Sequence, residues 1–174
     1  MNRSLLARSL AVALCVCASA CTPVPEEAKA PAPETALASV AFVHGGAGPW
    51  AVLGYRMGIF ALRELDLRRQ SFDLMVVHHT PHEVQYSCMA DGATAATGAS
   101  VGKLNLELVE ATSSGVQTTY QNRATGQSLT LRPKASFVAR FRDVPREKLA
   151  AAGLEVLQLP DDELFEQVRT RGGS

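Results

Sequence analysis

The sequence is short of several things, and each shortage removes a class of function. It carries no net charge, with 17 Lys and Arg against 17 Asp and Glu. A phosphate-binding surface normally shows a basic excess, so nucleic acid is not an expected partner. Its longest apolar run, near the N-terminus, falls short of the roughly 20 residues that a membrane-spanning helix needs. Its glycine loop, "HGGAGP", is followed by no Gly-Lys-Ser/Thr and contains no G-x-G-x-x-G, so both nucleotide fingerprints are missing. There is no C-x-x-C and no H-E-x-x-H, the closely spaced pairs that mark many metal sites. No internal repeat is visible.

Cysteine is scarce where it would matter. Of four cysteines, Cys15, Cys17 and Cys21 lie in the first 21 residues. That opening, "MNRSLLARSLAVALCVCASAC", places Arg3 and Arg8 before an apolar run and small residues, the pattern of a secretory signal over residues 1–20. "ASA" suits an ordinary signal peptidase. "ASAC" also suits a bacterial lipobox, which would make Cys21 a lipidated N-terminus. The lipoprotein is favoured because "TPVPEEAKAPAPETA" follows, rich in Pro, Ala and Glu, the composition of a tether over residues 21–36. The expected location is therefore the bacterial cell envelope, lipid-anchored to the membrane through Cys21 or free in the periplasm. Cys88 is then the one thiol of the folded domain, without a partner in a compartment that favours disulfides. It reads either as a small buried hydrophobe or as a ligand or reactive thiol.

The remaining length suits one domain with a real core, over residues 37–170, and a disordered tail at 171–174. Val40–Val43 is β-branched and aromatic and predicts a first strand ending at His44. Pro49 suits a helix start, and Leu53, Met57, Phe60, Ala61 and Leu65 recur at helical spacing, which predicts an amphipathic helix to about Leu67. "SFDLMVVHH" predicts a second strand, apolar on both faces and so inside the sheet. In "TPHE", Thr80 and Glu83 form a capping box around Pro81, which predicts a helix from about Pro81 to Thr97, stopped by Gly98. Its Val84, Cys88, Asp91 and Ala95 share one face. Leu104, Leu106 and Leu108 alternate with polar residues and predict a half-buried strand. "VQTTYQN" and "QSLTLRP" continue it as a meander. Ala135–Phe141 is open between strand and helix. "PREKLAAAG" predicts a helix stopped by Gly153, and "PDDELFEQVRT" another with acids in its first turn. The whole is a single α+β domain, loosely α/β, with a mixed sheet, a βαβ-like start, an antiparallel meander and C-terminal helices.

Chemistry is expected where the polar residues cluster. Ligands of α/β sheets tend to lie beyond the carboxyl ends of strands. His44 ends the first predicted strand, His78 or His79 the second, and Cys88 lies on the helix that follows. If the strands pair in parallel, these groups converge, with Asp91 beside them. Imidazole and thiolate together suit zinc or another borderline metal, which makes His44, Cys88 and His79 candidate ligands. His78 and His79 point to opposite faces of a strand, so at most one of them faces a given pocket. Cys88 is also the candidate nucleophile; a helix starting near Ser87 would lower its pKa, one starting at Thr80 would not. Lys103 is either an anion ligand or an exposed strand lysine.

Three blocks, "HGGAGPWAVLGYRMGIFALREL", "SCMADGATAATGASVGKLNL" and "LPDDELFE", resemble the FmdE family, proteins of formylmethanofuran dehydrogenase operons, from about His44 to Glu166. The family pattern runs H-G-H-x-C-P-G into G-Y-R-x-G, then D-S-C-x-x-D-A with T-G-C-T-x-G-K-G-N-L, then L-P-D-E-E-L-F. Cys88, Asp91, Gly102, Lys103, Asn105 and Leu106 stand at matching places. The resemblance implies an α+β fold and, where the motifs are full, a divalent, zinc-like metal held by Cys and His. Here Gly46 and Gly48 replace the second His and the Cys of the first block, Ala99 replaces the later Cys, and "HHTPHE" is an apparent insertion. Two alternatives stay open: the extra histidines replace the lost ligands, or the metal is lost. The leading expectation is an envelope-tethered domain binding a metal ion or a small metal-dependent ligand in a pocket of His44, His78 or His79, Cys88 and Asp91, with Lys103 nearby. The alternatives are a Cys88-dependent enzyme and a partner-binding lipoprotein.

Overall fold

A computed structural model of the chain describes residues 32–168. The expected signal, the lipidation site Cys21, most of the tether and the tail at 171–174 lie outside the described residues.

The elements run α1 (Pro33–His44), α2 (Pro49–Glu64), β1 (Leu74–Thr80), α3 (Val84–Thr97), β2 (Leu106–Glu110), β3 (Gln117–Asn122), β4 (Ser128–Pro133), α4 (Ala135–Phe141), α5 (Leu149–Gln158), α6 (Asp161–Leu164) and β5 (Phe165–Val168). The five strands form one sheet in the order β2-β1-β3-β4-β5. β1 and β2 are parallel, and every other pair is antiparallel. This is an α+β domain with a mixed sheet.

Several expectations need correction. The first strand does not exist: Val40–Val43 is the last part of α1. That helix starts at Pro33, inside the expected tether, with proline in its first turn, where its missing N–H costs nothing. Ala36 and Val40, four residues apart, are its buried residues, and the helix packs on α3. Burial at helical spacing overrides the local β preference of Val-Ala-Phe-Val. The parallel βαβ unit is therefore β1–α3–β2, one element later than predicted. The meander is also rearranged, because β3 leaves β2 and pairs with β1. "TPHE" is not a capping box: Thr80 ends β1, α3 starts at Val84, and its N-cap Glu83 makes no side-chain cap. Gly153 does not stop α5 but lies inside it, and α6 is one turn long before the chain turns into β5.

α2 is buried almost all round rather than along one stripe, because α3 covers one side and α5 another. Glycines set its crossing with α3. A Cβ on Gly54 would lie 2.0 Å from the Met89 carbonyl oxygen, and one on Gly92 would lie 1.9 Å from that of Ala51. The small residues of "ADGATAATG" thus admit a helix backbone. Arg56 leaves the same helix toward α5. Its guanidinium faces the carbonyls of Val156, Leu157 and Leu159 at 3.1, 2.6 and 2.7 Å and pairs with Asp161 at 2.6 Å. A half-buried cation thereby satisfies carbonyls that the end of a helix leaves open. A Cβ on Gly153 would lie 1.8 Å from the Ala47 oxygen, so α5 rests directly on the glycine loop between α1 and α2. That contact brings the start of α5 to the site described next.

Candidate functional site

His44 is the last residue of α1, and Gly45 ends the helix in the left-handed conformation (φ 86°) that glycine adopts without strain. Cys88 and Asp91, three residues apart on α3, share one face. The packing of α1 on α3 brings His44 Nδ1 to 2.8 Å from Asp91 Oδ2. A carboxylate accepts, so Nδ1 carries the donated proton and Nε2 of the neutral ring keeps its lone pair. The ring is held by one nitrogen and offered by the other, as in sites where a carboxylate orients a histidine.

Beside this pair opens a cleft of about 590 Å³ lined by His44, Cys88, Trp50, Arg142, Arg146 and the glycine loop, among others. His44 and Cys88 therefore border one hollow. The route to it differs from the predicted one, since no strand end contributes. Trp50 fixes one wall. Its indole N–H donates to the Phe141 carbonyl at 2.8 Å, and its ring meets Tyr86 and Phe137 edge-on, with centroids 4.9 and 5.1 Å away. The first turns of α2, α3 and α5 also border the cleft, and none has a side-chain cap. Among the described residues, no carboxylate lines it.

Cys88 sits in the second turn of α3, where a helix start gives a thiolate little help. It is buried, and its S–H faces the Gln85 carbonyl at 3.2 Å. Burial, and then the charge of Asp91, push the thiol up to about 12. At pH 7.5 the thiolate fraction is then under about 0.1%, which argues against a resting nucleophile. Native Cys88 is expected to react with a small thiol reagent at least about 100-fold more slowly than in urea. Equal rates would mean an accessible thiolate and would restore the catalytic reading.

The other predicted residues lie elsewhere. His78 is wholly buried between the sheet and α3. Its Nε2 meets the Tyr86 carbonyl at 3.1 Å and its Nδ1 the Thr118 hydroxyl at 2.9 Å. A carbonyl only accepts, so Nε2 donates and Nδ1 accepts from Thr118. Both nitrogens are thus engaged, and burial pushes the ring down to about 4. His78 is a core residue. His79, next along β1, faces the opposite side of the sheet and does not line the cleft. Lys103 donates to the Gly98 carbonyl at 3.0 Å and lies over the Phe72 ring, at the far end of α3 from Cys88. It closes a helix end.

Among the described residues no group of three or more His, Cys, Asp or Glu is placed to hold a metal ion. A zinc centre takes three or four protein ligands. Among the described residues the cleft offers two such donors, and Asp91, which reaches His44 through Oδ2, does not line it. A resident ion held by this chain alone does not fit, so the histidines of β1 do not replace the missing ligands.

Residues 43–166, more than two thirds of the chain, match the family described as FmdE, molybdenum formylmethanofuran dehydrogenase operon. The chain belongs to the FmdE family. No individual curated protein matches it. The description names the operon of a molybdenum enzyme; in this FmdE domain His44 and Cys88 line one cleft, Asp91 holds His44 without lining it, and among the described residues a full ligand set is lacking. Sequence reasoning missed Trp50, Arg142 and Arg146 as cleft residues. The arginines stand singly in "RDVPREK", a segment between helices with no periodicity or motif to single them out.

Proposed function

We propose that this FmdE protein is an exported, envelope-tethered binding protein for a small metal-carrying ligand. The ligand sits in the cleft between His44 and Cys88, and the metal is its cargo. The observation that carries this reading is that His44, held by Asp91, lines a cleft that Cys88 also lines. An imidazole held at Nδ1 leaves Nε2 as a nitrogen donor, and the Cys88 thiol in the same cleft becomes a sulfur donor on giving up its proton to the incoming metal. A metal that arrives with a chelator brings the rest of its coordination sphere. The N-terminal signal pattern and Cys21 support the exported, lipid-anchored part of the reading.

The test is calorimetric titration of the full chain with zinc offered alone, as its citrate complex and as its bipyridine complex. One complex is expected to bind, with bare zinc at least about tenfold weaker. His44→Ala and Cys88→Ala should each weaken that complex by about tenfold or more, equivalent to about 1.4 kcal/mol. No binding of any of the three, or equal binding by the double variant, overturns the reading.

A further inference from the structure

The charge of the cleft says something about the ligand beyond its metal. Among the described residues, the ionisable side chains lining it are His44, Cys88, Arg142 and Arg146; none is acidic. The two arginines come from the segment between α4 and α5. Among the described residues neither arginine forms an ion pair, whereas Arg56, Arg63 and Arg140 each do. Arg142 also borders a second hollow, which carries Asp143 and Glu166, and pairs with neither. A guanidinium is always charged and presents a planar fork matched to carboxylates. Two of them line one apolar-walled cleft in which, among the described residues, no side chain is acidic, a setting that favours an anion. The first turns of α2 and α3, which have no side-chain cap, add partial positive charge of the same sign.

We infer that the ligand is a small multiply charged carboxylate chelator, and that Arg142 and Arg146 bind its carboxylates while His44 and Cys88 face its metal. This inference names the ligand class of the site proposed above and rests on that reading. It separates this cleft from a bare-ion site, because most of the recognition energy comes from the chelator.

The experiment compares the full chain with an Arg142→Gln/Arg146→Gln double variant, titrated with zinc citrate, citrate alone and zinc bipyridine at two ionic strengths. Both arginines are surface-exposed, so the double variant is expected to keep the wild-type melting temperature. Zinc citrate should bind wild type, lose at least about tenfold in affinity in the double variant, and weaken with added salt in wild type more than in the variant. Zinc bipyridine should bind more weakly than zinc citrate and be indifferent to the arginines. If the double variant binds zinc citrate as tightly as wild type, or if zinc bipyridine binds wild type as well as zinc citrate, the inference is overturned. Persistent His44 dependence in that case would leave the function reading standing. The converse is also readable. Citrate binding that needs the arginines but neither zinc nor His44 would support the anion receptor and overturn the metal-carrying ligand.

Discussion

Gly92→Ala is expected to lower stability by about 3 kcal/mol or more, a large share of the roughly 5–15 kcal/mol that holds an ordinary domain folded. Helix propensity points the other way, because alanine in place of a mid-helix glycine favours the helix by about 1 kcal/mol. The packing term decides. A Cβ at position 92 would lie 1.9 Å from the Ala51 carbonyl oxygen and 2.7 Å from the Tyr55 nitrogen. Both are main-chain atoms of α2, so no side chain can turn aside, and α2 and α3 would have to part by more than 1 Å. That separation would loosen the contacts of Leu53, Met57 and Met89, all fully buried at this interface. Gly102→Ala is the control, since a Cβ there meets nothing within 4 Å and should change stability by less than about 0.5 kcal/mol. Urea midpoints of the two variants and wild type provide the check. A Gly92→Ala protein as stable as wild type would mean that the helices do not cross this closely.

Acid is expected to destabilise the domain through one residue, His78. Its ring titrates near the usual 6.5 in an unfolded chain and at about 4 when folded, because burial, and then the charge of His79, disfavour the cation. Above pH 6.5 neither state carries the proton and the contribution is complete. As the pH falls from about 6.5 to 4, the unfolded chain takes up the proton and the native one does not. Stability is lost by about 1.4 kcal/mol per unit, about 3 kcal/mol in all, and levels off below the folded value. His78→Gln keeps a side-chain N–H for the Tyr86 carbonyl and removes the titration. Between pH 7 and pH 4.5, wild type should lose about 2–3 kcal/mol more than this variant in urea denaturation. Parallel losses would show that His78 is not the buried neutral ring described above.

Much of the domain could be read from its residues, because the signals were long and periodic. The helix after Pro49, the buried strand before His78 and the helix ending at Gly98 all stand close to where their patterns put them. The errors share a cause: short segments whose neighbours in space outweigh their own preferences. Val40–Val43 looks extended in isolation and is helical because Ala36 and Val40 bury together. The Leu104, Leu106, Leu108 alternation suggested a core face, yet only Leu106 packs against the core, and its two neighbours in the pattern are turned outward. Leu104 has φ 53° and is 81% exposed, and Leu108 is 56% exposed on an edge strand. Asn105 is buried between them, accepting from the Ser100 N–H at 3.0 Å while its own carbonyl receives the Val76 N–H. At the site, Cys88 and Asp91 could be grouped by helical spacing and His44 by its glycine loop. Their meeting depends on how α1 lies on α3, which no local pattern encodes. The arginines of the same cleft were silent for the same reason.

His44 owes its aim to eleven preceding helical residues, Pro33 to Val43. The family segment begins at Val43 and so takes in the imidazole while omitting the rod that carries it. A protein trimmed to that segment would forfeit Ala36 and Val40 from the interior and leave the ring swinging on a loose end, still bearing the motif but no longer holding Nδ1 against Asp91. For this domain, the boundary drawn by likeness and the boundary drawn by folding differ by the helix that makes the site work.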